Sequence, residues 1–418
     1  LQLNYKYEHK MIINFSVQNY GSIKDKQVLS FEADKSTHLE DYYIIPINGL
    51  RLLKLGLVYG ANASGKTTVL KALDFLLRMV LHPKEKKTEV FDFNPFLFDF
   101  ETPKQNTILS IEFVQNSVRY YYEVELNKDA IVNEKLDFYN PNKANVYKRT
   151  TNLETQFSEI TFGSKIKTDK VFEKTLEANT LWNNTVLGGF LKTNIELKEL
   201  KDATDWFEGH LNPLIRPEAE LKSFVFDLLN DSTVKKEDII QILQKADLNI
   251  SDIHIEKARD YDLKRDRQLK LEFEHTLDDR KYNLPYYLES QGTQRYYDMA
   301  GILSYLIRES CVFLIDELES SLHPDLFTHF LLSFLVNAKS SQIIATTHNR
   351  EILNNKDIFR NDAIWITDKS EDCATQLYSL ADFDTSVIRD TSSIYNAYKI
   401  GKLGGIPNLG DYYINIEG

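Results

Sequence analysis

Polar and apolar positions alternate over residues 11–17 and again over 27–31, with Asn19-Tyr20-Gly21-Ser22 between them, and predict an antiparallel hairpin. Residues 52–59 form a nearly unbroken apolar run instead, the mark of a strand buried on both faces. Val69, Leu70, Leu73, Leu76 and Leu77 then recur at helical spacing and predict a helix over residues 67–80. The charged tetrad Lys84-Glu85-Lys86-Lys87 reads as a solvated turn. Aromatic and β-branched residues alternate across 107–114, 118–126 and 130–139, as in a β-meander. From residue 142 to 249 the period becomes helical, over 165–179, 193–211, 218–230 and 235–246. Strands resume at 250–257 and 268–275, a helix is expected over 296–307, and further apolar runs occupy 311–315 and 342–347. The pattern predicts an α/β fold with an N-terminal lobe at 1–141, a helical insertion at 142–249 and a C-terminal lobe at 250–418.

Composition narrows the function classes. A net charge of −12 excludes a generally basic, nucleic-acid-coating surface and leaves room only for a local basic groove. Cys311 and Cys373 give neither a disulfide framework nor metal-ligand spacing, and read as reduced thiols of a cytoplasmic protein. No apolar run reaches the ~18 residues of a membrane-spanning helix. Residues 1–10 are polar, lack the apolar core of a signal peptide and precede the first strand, so they are expected to be dispensable.

Chemistry concentrates where the buried run of residues 52–59 meets the helix. Gly60-Ala61-Asn62-Ala63-Ser64-Gly65-Lys66-Thr67-Thr68 fits GxxxxGK[ST], the P-loop that binds ATP. Gly60 and Gly65 allow a tight turn and close approach to phosphate, with main-chain N–H groups, including those at Asn62 and Ser64, facing the ligand. Lys66 supplies a cation, and the Thr67 hydroxyl suits Mg²⁺. The second apolar run, Cys311-Val312-Phe313-Leu314-Ile315, ends in Asp316-Glu317. Asp316 suits Mg²⁺ and Glu317 suits a general base for the attacking water. The third run ends at His348, placed to meet the terminal phosphate. Upstream, Ser290, Gly292 and Thr293 open a helix and form a candidate second anion site.

These stretches, in this order, resemble the ABC-type ATPases, the class that includes SMC-like and RecF-like proteins. The resemblance implies an ABC-type head: a P-loop sheet, an antiparallel β-subdomain and a helical insertion. It makes residues 60–67 the Walker A motif, 289–294 a degenerate signature motif, Asp316-Glu317 the Walker B motif, 319–323 the D-loop and His348 the switch histidine. Three stretches also look like the bacterial AAA15 family, called AbiLi-type or RloA-like: the opening Ile13-Asn14-Phe15-Ser16-Val17-Gln18-Asn19-Tyr20-Gly21-Ser22-Ile23, the Glu289-Ser290-Gln291-Gly292-Thr293 motif and the late Tyr398-Lys399-Ile400-Gly401-Lys402-Leu403-Gly404-Gly405-Ile406-Pro407. The signature departs from Leu-Ser-Gly-Gly-Gln, no Q-loop glutamine matches, and the insertion is shorter than a coiled-coil arm. That resemblance implies an ATPase of anti-phage, abortive-infection defence, with ATP and Mg²⁺ as cofactors. It also implies a homodimer or higher oligomer through the heads, and a separately encoded nuclease or Toprim-type effector as partner.

Three other readings compete. A DNA-end-binding repair ATPase would show salt-dependent stimulation by DNA. A self-contained nuclease would need a fused Toprim domain, for which Asp382-Phe383-Asp384 and the residues after His348 supply too little. A scaffold without turnover is disfavoured by Glu317.

Overall fold

The computed structural model describes residues 10–256, 270–355, 357–383 and 393–407. The expectation for residues 1–9, the basic link holding Lys264, Arg265 and Arg267, and the position of Asp384 lie outside the described residues.

The apolar run at 52–59 centres on the strand Leu55–Gly60, every residue of which is buried. It is the middle of a five-stranded sheet in the order Val312–Ile315, Gln342–Thr346, Leu55–Gly60, Ile364–Lys369, Thr375–Ser379. The first four strands are parallel and Thr375–Ser379 is antiparallel. A second, seven-stranded antiparallel sheet runs Phe157–Phe162, Lys143–Asn152, Ile131–Tyr139, Val118–Leu126, Thr107–Gln115, Ile12–Gln18, Gln27–Ser30. The helix Lys66–Leu81 lies between the sheets and touches strands of both. Its buried Val69, Leu70, Leu73, Leu76 and Leu77 each contribute roughly 1.5–3 kcal/mol of burial. Gln342, fully buried, joins the sheets: its Oε1 accepts from Ile12 N (2.7 Å) and its Nε2 donates to the carbonyls of Ile12 (3.0 Å) and Leu53 (2.9 Å). The fold is the α/β head with an antiparallel β-subdomain that the sequence predicts.

The helical block begins at Lys170–Asn179, later than the predicted boundary at residue 142. Lys143–Asn152 and Phe157–Phe162 are strands that complete the meander. The predicted helices appear, shortened, as Lys170–Asn179, Lys198–Gly209, Lys222–Asn230 and Lys236–Lys245, with an additional short helix Val186–Leu191. A three-stranded sheet, Asp252–Glu256, Lys270–Leu277 and Arg280–Pro285, leads into the helix Gln291–Arg308. The chain after Lys198–Gly209 also pairs with the central sheet. Leu211 and Ile215 bridge to Val312 and Ile315 in parallel sense, and Asp316 N donates to the Ile215 carbonyl (2.8 Å).

Candidate active site

The P-loop turns between a buried strand and a helix whose N-cap, Gly65, offers no side-chain cap. The N-terminal N–H groups of that helix therefore face the loop interior without a side-chain acceptor, which is the local requirement for holding an anion. Both glycines have positive φ, +156° at Gly60 and +105° at Gly65. Space behind the loop demands them as well. A Cβ at Gly60 would lie 2.3 Å from Thr367 Oγ1, and one at Gly65 would lie 2.1 Å from Thr375 Oγ1. Five hydroxyls fill this rear wall. Ser64 Oγ and Thr367 Oγ1 are 2.6 Å apart, Thr375 Oγ1 lies 2.8 Å from Ser22 Oγ, and Ser22 Oγ donates to Thr68 Oγ1 (3.1 Å). The Ser64 hydroxyl is thus engaged behind the loop, which leaves its main-chain N–H, the group expected at the ligand, as the part available to a phosphate. In the sequence Ser22 reads only as part of a turn and of the opening stretch, and Thr367 and Thr375 carry no local motif that singles them out.

Lys66 Nζ donates to the carbonyls of Gly60 and Ala61, each at 3.0 Å, across the mouth of the loop. Burial lowers its pKa, and the charges of Asp316, Glu317 and Glu319 oppose that shift. Thr67 Oγ1 donates to Asp316 Oδ1 (3.0 Å), which also accepts from Thr346 Oγ1 (2.6 Å). Thr346 Oγ1 in turn accepts from Glu317 N (2.7 Å). The threonine at the end of the neighbouring strand therefore orients both acids of the Asp-Glu pair. Glu317 sits at φ +48°, a conformation that an L residue adopts at a cost, and its side chain is exposed. A hydroxyl and a carboxylate oxygen converging at 3.0 Å beside a lysine make a hard-oxygen donor set suited to Mg²⁺.

His348 follows the strand Gln342–Thr346, which lies directly between the Walker B strand and the P-loop strand. Its backbone N–H donates to Glu319 Oε1. The other oxygen, Glu319 Oε2, is buried with no partner among the described residues. Burial lowers the His348 pKa, reinforced by the charges of Lys66 and Arg350 against those of Glu319 and Glu317. Glu319 is a site residue that sequence reading placed only within the D-loop; its carboxylate reaching back to His348 depends on a turn that no spacing rule reveals.

Ser290 caps the helix Gln291–Arg308, its Oγ accepting from Thr293 N (3.0 Å), and is exposed. A Cβ at Gly292 would stand 3.5 Å from the carbonyl of Ser321, an ordinary contact. Ser290 and Gly292 thus lie beside the D-loop, and among the described residues no hydrogen bond joins them to the P-loop of the same chain.

A family model described as an AAA domain, and associated in that description with the AbiEii toxin of type IV toxin–antitoxin systems, matches residues 57–354. The chain belongs to this family. The matched residues of the AAA domain run from within the P-loop strand to just past His348, and so include the P-loop, the Asp-Glu pair and the strand between them. No curated protein matches the chain. Among solved structures, the SMC head domain from Thermotoga maritima is 11% identical, with a TM-score of 0.41 over 88% of this chain and 98% of that one. A Smc head domain with an extended coiled coil, bound to the C-terminal domain of ScpA derived from Pyrococcus furiosus, is 13% identical, with a TM-score of 0.43 over 94% and 99%.

Proposed function

We propose that this AAA domain is an ATP-hydrolysing switch. The observation that carries the reading is the 3.0 Å contact between Thr67 and Asp316, which unites the P-loop and the Asp-Glu pair in one donor set. The main chain of residues 60–65 and the Lys66 ammonium hold the phosphates of ATP, assisted at the helix start by Thr67 and Thr68. Thr67 and Asp316 hold Mg²⁺, which supplies charge neutralisation at the phosphates when bound. Glu317 takes the proton of the attacking water, and His348 bonds the terminal phosphate.

The site is complete only as a homodimer in this reading. Ser290, exposed, and Gly292, half-buried, make no hydrogen bond to their own P-loop among the described residues, and in the dimer they reach the terminal phosphate held by the partner subunit. ATP then glues the heads and hydrolysis releases them, giving two states. At the level of biology, the proposed role is an AAA15-type, RloA-like sensor that controls a separately encoded nuclease or Toprim-type effector in anti-phage defence. The family's toxin–antitoxin description supports it.

The test is phosphate release and nucleotide binding by wild type and Lys66→Ala. Removal of the cation forfeits roughly 1.5–3 kcal/mol of charge-assisted bonding, so ATP should bind about 10–150-fold more weakly and turnover should fall with it. Wild-type binding and turnover in Lys66→Ala would reject the ATP site. For the biological role, the chain and the product of its neighbouring gene are expressed together and challenged with phage; protection that survives Lys66→Ala would reject ATP control of the effector.

A further inference from the structure

The late segment ending Leu403-Gly404-Gly405-Ile406-Pro407 folds back over the first half of the P-loop. The Tyr398 ring meets Tyr59 edge-on, with centroids 5.9 Å apart, and its hydroxyl donates to the Gly405 carbonyl (2.9 Å). Gly405 has φ +66°, and a Cβ there would lie 2.7 Å from Ile366 Cγ2 and 3.3 Å from the Gly60 Cα. The segment's main chain therefore rests on the loop's first glycine. Between them opens a cavity of about 700 Å³ whose walls include Ala61, Asn62, His348 and Arg350.

Arg350 is the unusual member of that wall. It is half-buried, and its guanidinium lies 5.5 Å from the centroid of the Tyr398 ring. Among the described residues its side chain has no hydrogen bond and no ion pair; Asp368, in the same cavity, does not pair with it. A guanidinium carries five donors in a rigid fork that matches the oxygens of a phosphate. A cation this close to an aromatic ring is held there by the ring's quadrupole, and the Arg350 N–H groups have no partner among the described residues. Gly60, Ala61, Asn62 and Ser64 of the P-loop line this cavity together with His348. The anion within reach of both the P-loop and His348 is the terminal phosphate of a nucleoside triphosphate.

Resting on the ATP reading of the P-loop, we propose that Arg350 is a further catalytic residue. Its guanidinium, held beside the Tyr398 ring, contacts the terminal phosphate and stabilises the charge on that group during cleavage. In that step the water oxygen bonds to the terminal phosphorus. The bond to the bridging oxygen breaks with its electron pair left on ADP, and the water proton passes to Glu317. Arg350 transfers no atom. Tyr398 is a positioning residue, and the late glycines are what bring it there.

The experiment compares wild type, Arg350→Ala, Arg350→Lys and Tyr398→Ala by steady-state phosphate release, ADP affinity, and trapping of ADP with aluminium fluoride, a mimic of the transferring group. Arg350→Ala should lower kcat by roughly 10²–10³-fold, the scale of one lost transition-state donor, with ADP affinity unchanged and the trapped complex lost. Arg350→Lys keeps the charge without the fork and should recover only part of kcat. Tyr398→Ala should show the same pattern, more weakly. Wild-type kcat and trapping in Arg350→Ala would overturn the proposal. So would a parallel loss of ADP affinity and melting temperature, which marks a structural role. Failure of wild type itself to bind ADP would overturn the ATP reading instead.

Discussion

Thr67 and Asp316 are 249 residues apart in sequence, and their side-chain oxygens meet at 3.0 Å. One stands in the first turn of the P-loop helix and the other at the end of the strand two places away in the central sheet. Asp316→Asn keeps the hydrogen bonds of this cluster in shape but removes the charge that favours a divalent cation. The midpoint of the Mg²⁺ titration of ATPase activity is expected to rise at least tenfold, the scale of ~1.4 kcal/mol. An unchanged titration would remove Asp316 from the metal site.

Glu317→Gln preserves volume and loses the base. Hydrolysis is expected to fall by ~10²–10⁴-fold while ATP binding persists. Equal loss of binding, read by a fluorescent ATP analogue, would make Glu317 structural.

The proposed dimer sets Ser290, exposed at the start of its helix, against the nucleotide of the partner subunit. Mass measurement should show Glu317→Gln protein pairing when ATP and Mg²⁺ are added. Adding Ser290→Arg to the same protein should leave nucleotide binding intact and the protein unpaired. Pairing that persists with arginine at this position would place the interface elsewhere.

The His348 imidazole is held below the ordinary histidine range of 6.5 by burial, with help from Lys66 and Arg350. At a pH where an unfolded-chain histidine is half protonated it therefore carries less of the proton. Its contribution to stability is therefore complete above pH 6.5 and is lost as pH falls through the folded value. The acid limb of the activity profile that His348 governs should lie below pH 6.5 and disappear in His348→Gln. A titration of this imidazole by NMR at or above 6.5 would contradict the assignment.

Arg149 joins the meander to the helical block. Fully buried, it lies 3.4 Å from Glu134 Oε2 and donates to Ser158 Oγ (2.7 Å) and to the carbonyls of Asn184 and Trp182 (each 2.9 Å). Arg149→Met strands the Glu134 carboxylate in the core and should cost about 3–5 kcal/mol in urea unfolding. A loss below ~1 kcal/mol would show that the surrounding tyrosine hydroxyls and the Val186 N–H suffice for Glu134.

That same residue explains a misread boundary. In Lys143–Asn152 the inward positions after Val146 are Tyr147, Arg149 and Thr151, so polar side chains stand where an apolar alternation would reveal a strand. In Phe157–Phe162 the phenylalanine at the start is exposed while Ser158 is buried, which inverts the signal. The P-loop strand and the Walker B strand were legible because burial on both faces makes their composition uniform. Gly60, Lys66, Thr67, Asp316 and Glu317 could be nominated from the sequence because phosphate chemistry asks for given residue types at fixed offsets, and the fold brings Thr67 and Asp316 together. Thr346 and Arg350 escaped because their place at the site depends on approach in space, and their spacing along the chain carries no period.

The hydrogen bond from Asp316 N to the Ile215 carbonyl ties the segment that follows Lys198–Gly209 alongside the strand that presents the Asp-Glu pair. Both residues are buried, so moving one without the other would leave a main-chain N–H beside the P-loop unpaired and out of reach of water.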